Sequence, residues 1–160
     1  MKKIAITTAV LTLFAATSAH AQWIYQTKDS AFSDDKMHFM VTAKAGFAFG
    51  FRCNKGVKNA LYLTSEKAES ASSINALGPK LFIRVDKNKV HELDAEANIV
   101  DGKIRIDATV PETIFAEARD AKRRISVVLD IVGQKFYENN FNVRGSTRAA
   151  KRLIADCKEK

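Results

Sequence analysis

The sequence is poor in the residues that usually build metal centres and nucleophilic sites. It has three histidines, and only His38 and His91 lie beyond the first 21 residues. Neither belongs to a His-Glu-x-x-His motif or a Cys/His cluster, so no zinc site is expected. The G-x-S-x-G elbow, the phosphate-binding loop and the G-x-G-x-x-G motif are also missing. We therefore predict a protein without catalytic residues, bound metal or cofactor.

Long apolar runs are also missing, except at the start of the chain. Residues 1–21 open with two lysines, continue through an apolar stretch and end in Ala19-His20-Ala21. A charged start, a short apolar centre and a small-x-small end are typical of a cleaved secretory signal. The run is too short to span a bilayer, and no later segment is apolar enough to do so. We expect residues 22–160 to form one exported domain, in the periplasm or secreted.

There are only two cysteines, Cys53 and Cys157. In an oxidising compartment they most simply form one disulfide, and the alternative is a pair of buried free thiols. A bridge would close a loop of about 100 residues and stabilise the fold by roughly 4–5 kcal/mol. A disulfide also argues against Cys53 as a nucleophile, which would need a free thiol and a nearby histidine.

Alternating apolar residues predict a mainly β fold. In Gly46–Cys53 three phenylalanines alternate with small residues, as in a strand with one buried face. Asp101-Gly102 predicts a tight hairpin turn. Comparable patterns predict strands at 23–26, 37–43, 59–64, 81–86, 90–100, 103–110, 125–131 and 135–143.

Two helices are predicted among these strands. One begins at Pro111-Glu112 and ends near Ala121, and the other is Thr147–Asp156, capped by Ser146. The fold class is thus a single-domain antiparallel β-sandwich or curled sheet of eight or nine strands. It has a short helix before the last hairpin and a C-terminal helix tied by the disulfide.

The segment Ser65–Gly78 is rich in small and polar residues. This composition is typical of a mobile loop or a weak, frayed helix. The alternative interpretation is a functional lid.

Basic residues outnumber acidic ones, 26 to 18, which gives a net charge of +8 and favours anionic partners. Arg148 and Arg152 share a face of the predicted last helix, with Lys151 beside them and Arg144 just before it. Another run, Lys122-Arg123-Arg124, follows the first helix. Either these cations form a solvated face, or they are a docking patch for an acidic protein or an anionic envelope polymer. Nucleic acid is not expected, because no aromatic stacking motif accompanies the charges.

The aspartates at predicted turns and the two histidines can be explained by structural roles, without catalysis. Asp34, Asp35, Asp86, Asp94 and Asp101 lie where turns are expected, and turns recruit aspartate for backbone reasons. We interpret His38 as a core or edge histidine and His91 as exposed. The remaining hypothesis is an envelope hydrolase that uses Asp34, Asp35 or His38.

Several segments together resemble a known group of exported proteins. They are Trp23, Phe51-Arg52-Cys53, Phe82-Ile83-Arg84-Val85-Asp86 and Phe141-x-Val143-x-Gly145-Ser146-x-x-Ala149-x-x-x-Leu153-x-x-x-Cys157. With the signal, they resemble the periplasmic proteins associated with type VI secretion loci, the VasI-like group, and related exported β-rich bacterial proteins. The resemblance implies an accessory role in the cell envelope without catalysis.

The function expected from the sequence is therefore that of a non-enzymatic accessory protein that contacts an envelope or secreted protein. One alternative is an exported inhibitor of the lysozyme-inhibitor type, which would place the loop Ser65–Gly78 in the cleft of a target enzyme. Another is a binder of anionic envelope polymer.

Overall fold

The structure is a computed structural model that describes residues 22–29 and 36–157. The predicted signal segment, residues 1–21, lies outside the described residues, as do Asp34 and Asp35.

Within these described residues, nine strands form one antiparallel sheet in the order β1-β2-β3-β4-β7-β6-β5-β8-β9. The strands are β1 (Ile24–Asp29), β2 (Lys36–Lys44), β3 (Phe47–Asn54), β4 (Val57–Lys67), β5 (Lys80–Val85), β6 (His91–Val100), β7 (Lys103–Thr109), β8 (Arg124–Ile131) and β9 (Gln134–Asn142). The helices are α1 (Ser72–Ala76), α2 (Glu112–Asp120) and α3 (Ser146–Asp156). The mainly β, antiparallel prediction is confirmed, and the architecture is the curled sheet.

The sheet curls into a half-barrel whose two edges approach each other. The Trp23 backbone N–H donates to the Arg144 carbonyl at 2.9 Å, and its indole Nε1–H donates to the Asn142 carbonyl at 2.7 Å. Farther along the line where the two edges meet, Lys44 Nζ donates to the Asn140 carbonyl at 3.2 Å. Individual hydrogen bonds of this kind therefore join the edges, where a closed barrel would have another strand ladder.

The concave face of the sheet holds an aromatic core. Phe49 and Phe51, which the alternation placed on one buried face, are both buried. The Trp23 ring stacks on Phe51 with centroids 6.1 Å apart, and the ring centroid of Phe115 in α2 lies 5.4 Å from that of Phe51. Gly50 lies where β2 comes close, since an added Cβ would approach the Met40 carbonyl oxygen to 2.5 Å.

Helices α2 and α3 cover one end of the half-barrel and pack against each other. Cys53 at the end of β3 is joined to Cys157 after α3, with Cα atoms 5.6 Å apart, so the predicted disulfide is confirmed. Both cysteines are buried. The bond therefore fixes the residue that follows α3 to the end of β3.

Two turn predictions had different outcomes. Asp101 and Gly102 both have positive φ, 51° and 70°, as the predicted hairpin turn requires. The prediction that Ser146 caps the last helix was wrong. The N-cap is Gly145, at φ 84°, and Ser146 is the first residue of α3. Any side chain at Gly145 would approach the Trp23 carbonyl to 2.7 Å, and Ser146 Oγ is buried with no hydrogen-bond partner among the described residues. Tertiary packing therefore overrides the capping preference.

Candidate interaction surface

The terminal helix α3 has one buried face and one basic face. Its apolar positions pack onto β1, β2 and α2, and those fully covered are Ala149, Ala150 and Leu153. Arg148, Lys151 and Arg152 are exposed on the opposite side, as expected for positions three and four apart in a helix. Arg144, two residues before α3, is exposed as well. Arg144, Arg148, Lys151 and Arg152 together form the basic surface.

The cations of the basic surface form no salt bridge in the part of the chain that the structure describes. The ion pairs formed there involve other cations, such as Lys80 with Glu92 and Arg105 with Asp107. Unpaired cations on a fixed helix face produce a local positive potential that attracts anionic groups.

The second predicted run of cations lies next to α3. Asp120, at the end of α2, accepts hydrogen bonds at 2.8 and 2.6 Å from the Arg119 guanidinium, which holds the pKa of the Asp120 carboxyl below its usual value. The charges of Lys122 and Lys151 act on the same carboxylate and lower its pKa further. The turn after α2 and the middle of α3 therefore contribute cations to neighbouring parts of one surface.

Asp86 fixes the turn that carries Lys122, Arg123 and Arg124. Its carboxylate accepts the backbone N–H groups of these three residues at 2.6, 2.8 and 2.9 Å. Partial burial acts to raise the pKa of the Asp86 carboxyl, but the backbone hydrogen bonds together outweigh it, so the pKa is lowered. The Asp86 carboxylate thus serves the backbone of the turn, as expected for an aspartate at such a position.

A polar cluster that the sequence did not predict adjoins the basic surface. The Tyr25 hydroxyl donates to Asp156 Oδ2 at 2.5 Å, accepts from Thr27 Oγ1 at 3.1 Å and lies 2.7 Å from His38 Nδ1. The Arg152 guanidinium carbon lies 4.6 Å from the centroid of the Tyr25 ring. Partial burial, followed by the bond to Asp156, raises the pKa of the Tyr25 hydroxyl, which therefore keeps its proton.

The Tyr25 cluster also explains His38. Since the single hydroxyl proton of Tyr25 goes to Asp156, His38 Nδ1 must donate its own proton to the Tyr25 oxygen. His38 is half-buried on β2, between β1 and β3, and its hydrogen bond to Tyr25 gives it a structural partner. Its nearest polar partner is a tyrosine, and the proposed catalytic partners Asp34 and Asp35 lie outside the described residues.

The prediction that His91 is exposed was wrong. His91 Nε2 lies 3.0 Å from Glu117 Oε1, and only 17% of its side chain is exposed. Helix α2 covers the start of β6 at this point, which no pattern within β6 indicates.

A cleft of about 450 Å³ lies nearby and is lined by Asp86, Glu117 and Asp120 among others. Asp86 is engaged by backbone amides and Asp120 by Arg119. Only Oε1 of Glu117 contacts His91, whereas its Oε2 is buried with no hydrogen-bond partner among the described residues.

The segment Ser65–Gly78 is more regular than a mobile loop. Strand β4 continues through Lys67, and α1 follows as a single short turn of helix, the weak helix of the prediction. The Asn75 side chain donates to the Ala97 carbonyl at 2.9 Å and accepts the Ala97 N–H at 2.7 Å. This pair of hydrogen bonds attaches α1 to β6.

Residues 22–29 and 36–157 contain no group of three or more His, Cys, Asp or Glu side chains arranged to hold a metal ion. Within the same residues, no helix is long and apolar enough to cross a membrane.

No family model and no curated protein matches the chain. Among solved structures, the crystal structure of invasion associated protein B from Bartonella henselae is similar, with a TM-score of 0.57 and 16% sequence identity. The match covers 85% of this chain and 92% of that chain. At this identity the similarity shows a shared fold alone. The resemblance to the VasI-like group stays a prediction.

Proposed function

We propose that this chain is a non-enzymatic binding or accessory protein that works by contact with another protein. The observation that supports the proposal is the basic surface. It presents four exposed cations that form no salt bridge in the described chain. Such a surface attracts an acidic partner and orients it during the encounter.

The way α3 is attached to the sheet also supports the proposal. The Trp23 backbone holds Arg144 before the helix, the Tyr25 hydroxyl binds Asp156 at its end, and the disulfide follows at Cys157. A binding surface on an element that is fixed at both ends loses little conformational freedom when a partner binds.

An exported location is part of the same proposal. The disulfide suits an oxidising compartment outside the cytoplasm, and residues 1–21 have the pattern of a secretory signal. The structural neighbour is named for an association with invasion, which agrees with an accessory role at the cell envelope or beyond it.

The test is a crosslinking pull-down from the envelope fraction with the wild-type protein and an Arg148→Glu/Arg152→Glu variant. We expect wild type to capture a discrete protein that the variant fails to capture. Salt-sensitive retention of an anionic polymer, without a discrete protein, would replace this proposal with a polymer binder. Equal recovery by both proteins would contradict docking through α3, and a variant altered in Ser65–Gly78 would then test the inhibitor alternative.

A further inference from the structure

The cations of the basic surface differ in how firmly they are held. Arg148 and Lys151 have no hydrogen bond or ion pair to any described residue. Arg152 also lacks a hydrogen-bond acceptor there, but its guanidinium lies over the Tyr25 ring. A contact with the face of an aromatic ring leaves the N–H donors at the edge of the guanidinium available. Arg152 therefore combines a restricted position with unused donors.

The Tyr25 ring is itself held in place. Its hydroxyl has three partners, Thr27, His38 and Asp156, which come from β1, β2 and the end of α3. The Tyr25 ring, over which Arg152 lies, is consequently attached both to the sheet, through β1 and β2, and to the end of α3. Positioning of this kind reduces the entropy lost when the guanidinium binds a ligand.

We propose that Arg152, positioned by Tyr25, is the specific carboxylate-recognition point of the basic surface, and that the partner is a protein segment containing aspartate or glutamate. This inference rests on the proposed docking function. The planar guanidinium matches a carboxylate with two parallel hydrogen bonds, which a lysine cannot form. Arginine and tyrosine are also the residue types that most often dominate the energy of protein interfaces.

The position of Asp156 favours a protein segment over a continuous polyanion. Asp156 lies one helical turn after Arg152, so a carboxylate lies within the same surface. A polymer with a charge at every unit would meet this carboxylate, whereas a peptide can place one acidic side chain on Arg152 and a neutral residue beside Asp156.

The experiment compares the binding of a labelled glutamate–glycine copolymer peptide to wild type, Arg152→Gln, Arg152→Lys and the matched control Arg148→Gln. The two glutamine variants remove the same charge from the same helix face. We expect about a tenfold loss of affinity for Arg152→Gln and a loss of less than about threefold for Arg148→Gln. Arg152→Lys keeps the charge without the planar fork and should resemble Arg152→Gln.

Equal losses in Arg148→Gln and Arg152→Gln, or wild-type affinity in Arg152→Lys, would overturn the inference, because the surface would then act by charge alone. Failure of wild type to bind the peptide while it binds dextran sulfate would also overturn it, in favour of a polymer.

The role of Tyr25 is tested by Tyr25→Leu, which removes the ring and should weaken binding as Arg152→Gln does. Unchanged affinity in this variant would show that Tyr25 is not part of the site. The pull-down decides the docking function independently of these results.

Discussion

Removing the disulfide should destabilise the protein strongly while leaving its fold intact. Cys53 and Cys157 are 104 positions apart, so the bond closes most of the described chain into one loop. For a loop of this length, the chain-entropy estimate of the stabilisation is about 4.7 kcal/mol. Since typical domains are stable by about 5–15 kcal/mol, the bond can account for a large part of the total.

The assay is chemical unfolding of wild type, reduced wild type and a Cys53→Ala/Cys157→Ala variant, followed by circular dichroism. We expect the free energy of unfolding to fall by about 3–5 kcal/mol in both altered forms, and the thermal midpoint to fall by about 10–15 °C. Alanine is the appropriate replacement, because both sites are buried and serine would place a hydroxyl there.

A loss below about 1 kcal/mol would refute this reasoning, because it would mean that the unfolded chain is already restricted without the bond. Loss of the β-sheet spectrum in the variant under native conditions would also contradict the account. It would show that the bond is needed to form the fold and does more than restrict the unfolded chain.

Three further substitutions test the packing and the hydrogen bonds of the fold by chemical unfolding. Gly50→Ala should cost about 3 kcal/mol, because the new Cβ would come within 2.6 Å of the Val41 side chain as well as meeting the β2 backbone. Asp86→Asn should cost about 1 kcal/mol at neutral pH, and this difference should disappear as the pH falls below the ordinary aspartate pKa of 3.8, because the lowered pKa stabilises only the ionised form. Tyr62→Phe should cost about 1–3 kcal/mol, because the buried hydroxyl donates to a β9 carbonyl and accepts from Asn139 Nδ2 at 2.8 Å. Burial raises the pKa of Tyr62 to about 12, so wild-type stability should fall as the pH rises above about 10, and this fall should be smaller in Tyr62→Phe.

Each of these expectations can fail separately. Wild-type stability in Gly50→Ala would mean that β2 and β3 can move apart at little cost. A difference between wild type and Asp86→Asn that persists in acid would mean that the carboxylate charge does not support the turn. An unchanged alkaline profile in Tyr62→Phe would place the relevant ionisation on another group.

The strands were predictable because their signals are local. Ile104, Ile106 and Ala108 alternate with polar residues, and all three are buried as the alternation predicts. The disulfide was also predictable, since two cysteines leave one intramolecular pairing and the N-terminal pattern predicts an oxidising compartment.

The Tyr25 cluster was not predictable, because it depends on contacts between distant positions. Tyr25 and Asp156 are 131 positions apart, and the alternation in β1 shows only that Tyr25 lies on the same face as Trp23. His91 was misplaced for a similar reason, since its burial comes from α2 packing over β6. Spacing predicted three of the four basic-surface cations on one helix face. It could not show that Arg152 is the one among them that lies over an aromatic ring of the described residues.

The most direct test of the docking proposal is a comparison of two variants that change the net charge equally. Arg148→Glu/Arg152→Glu alters the basic surface, whereas Lys67→Glu/Lys135→Glu places the same change on exposed lysines at the opposite end of the half-barrel. In a quantitative crosslinking pull-down, we expect the first variant to lose a discrete protein partner and the second to keep it. Equal capture by the two variants, or equal loss, would contradict the account, because binding would then depend on total charge or on another surface.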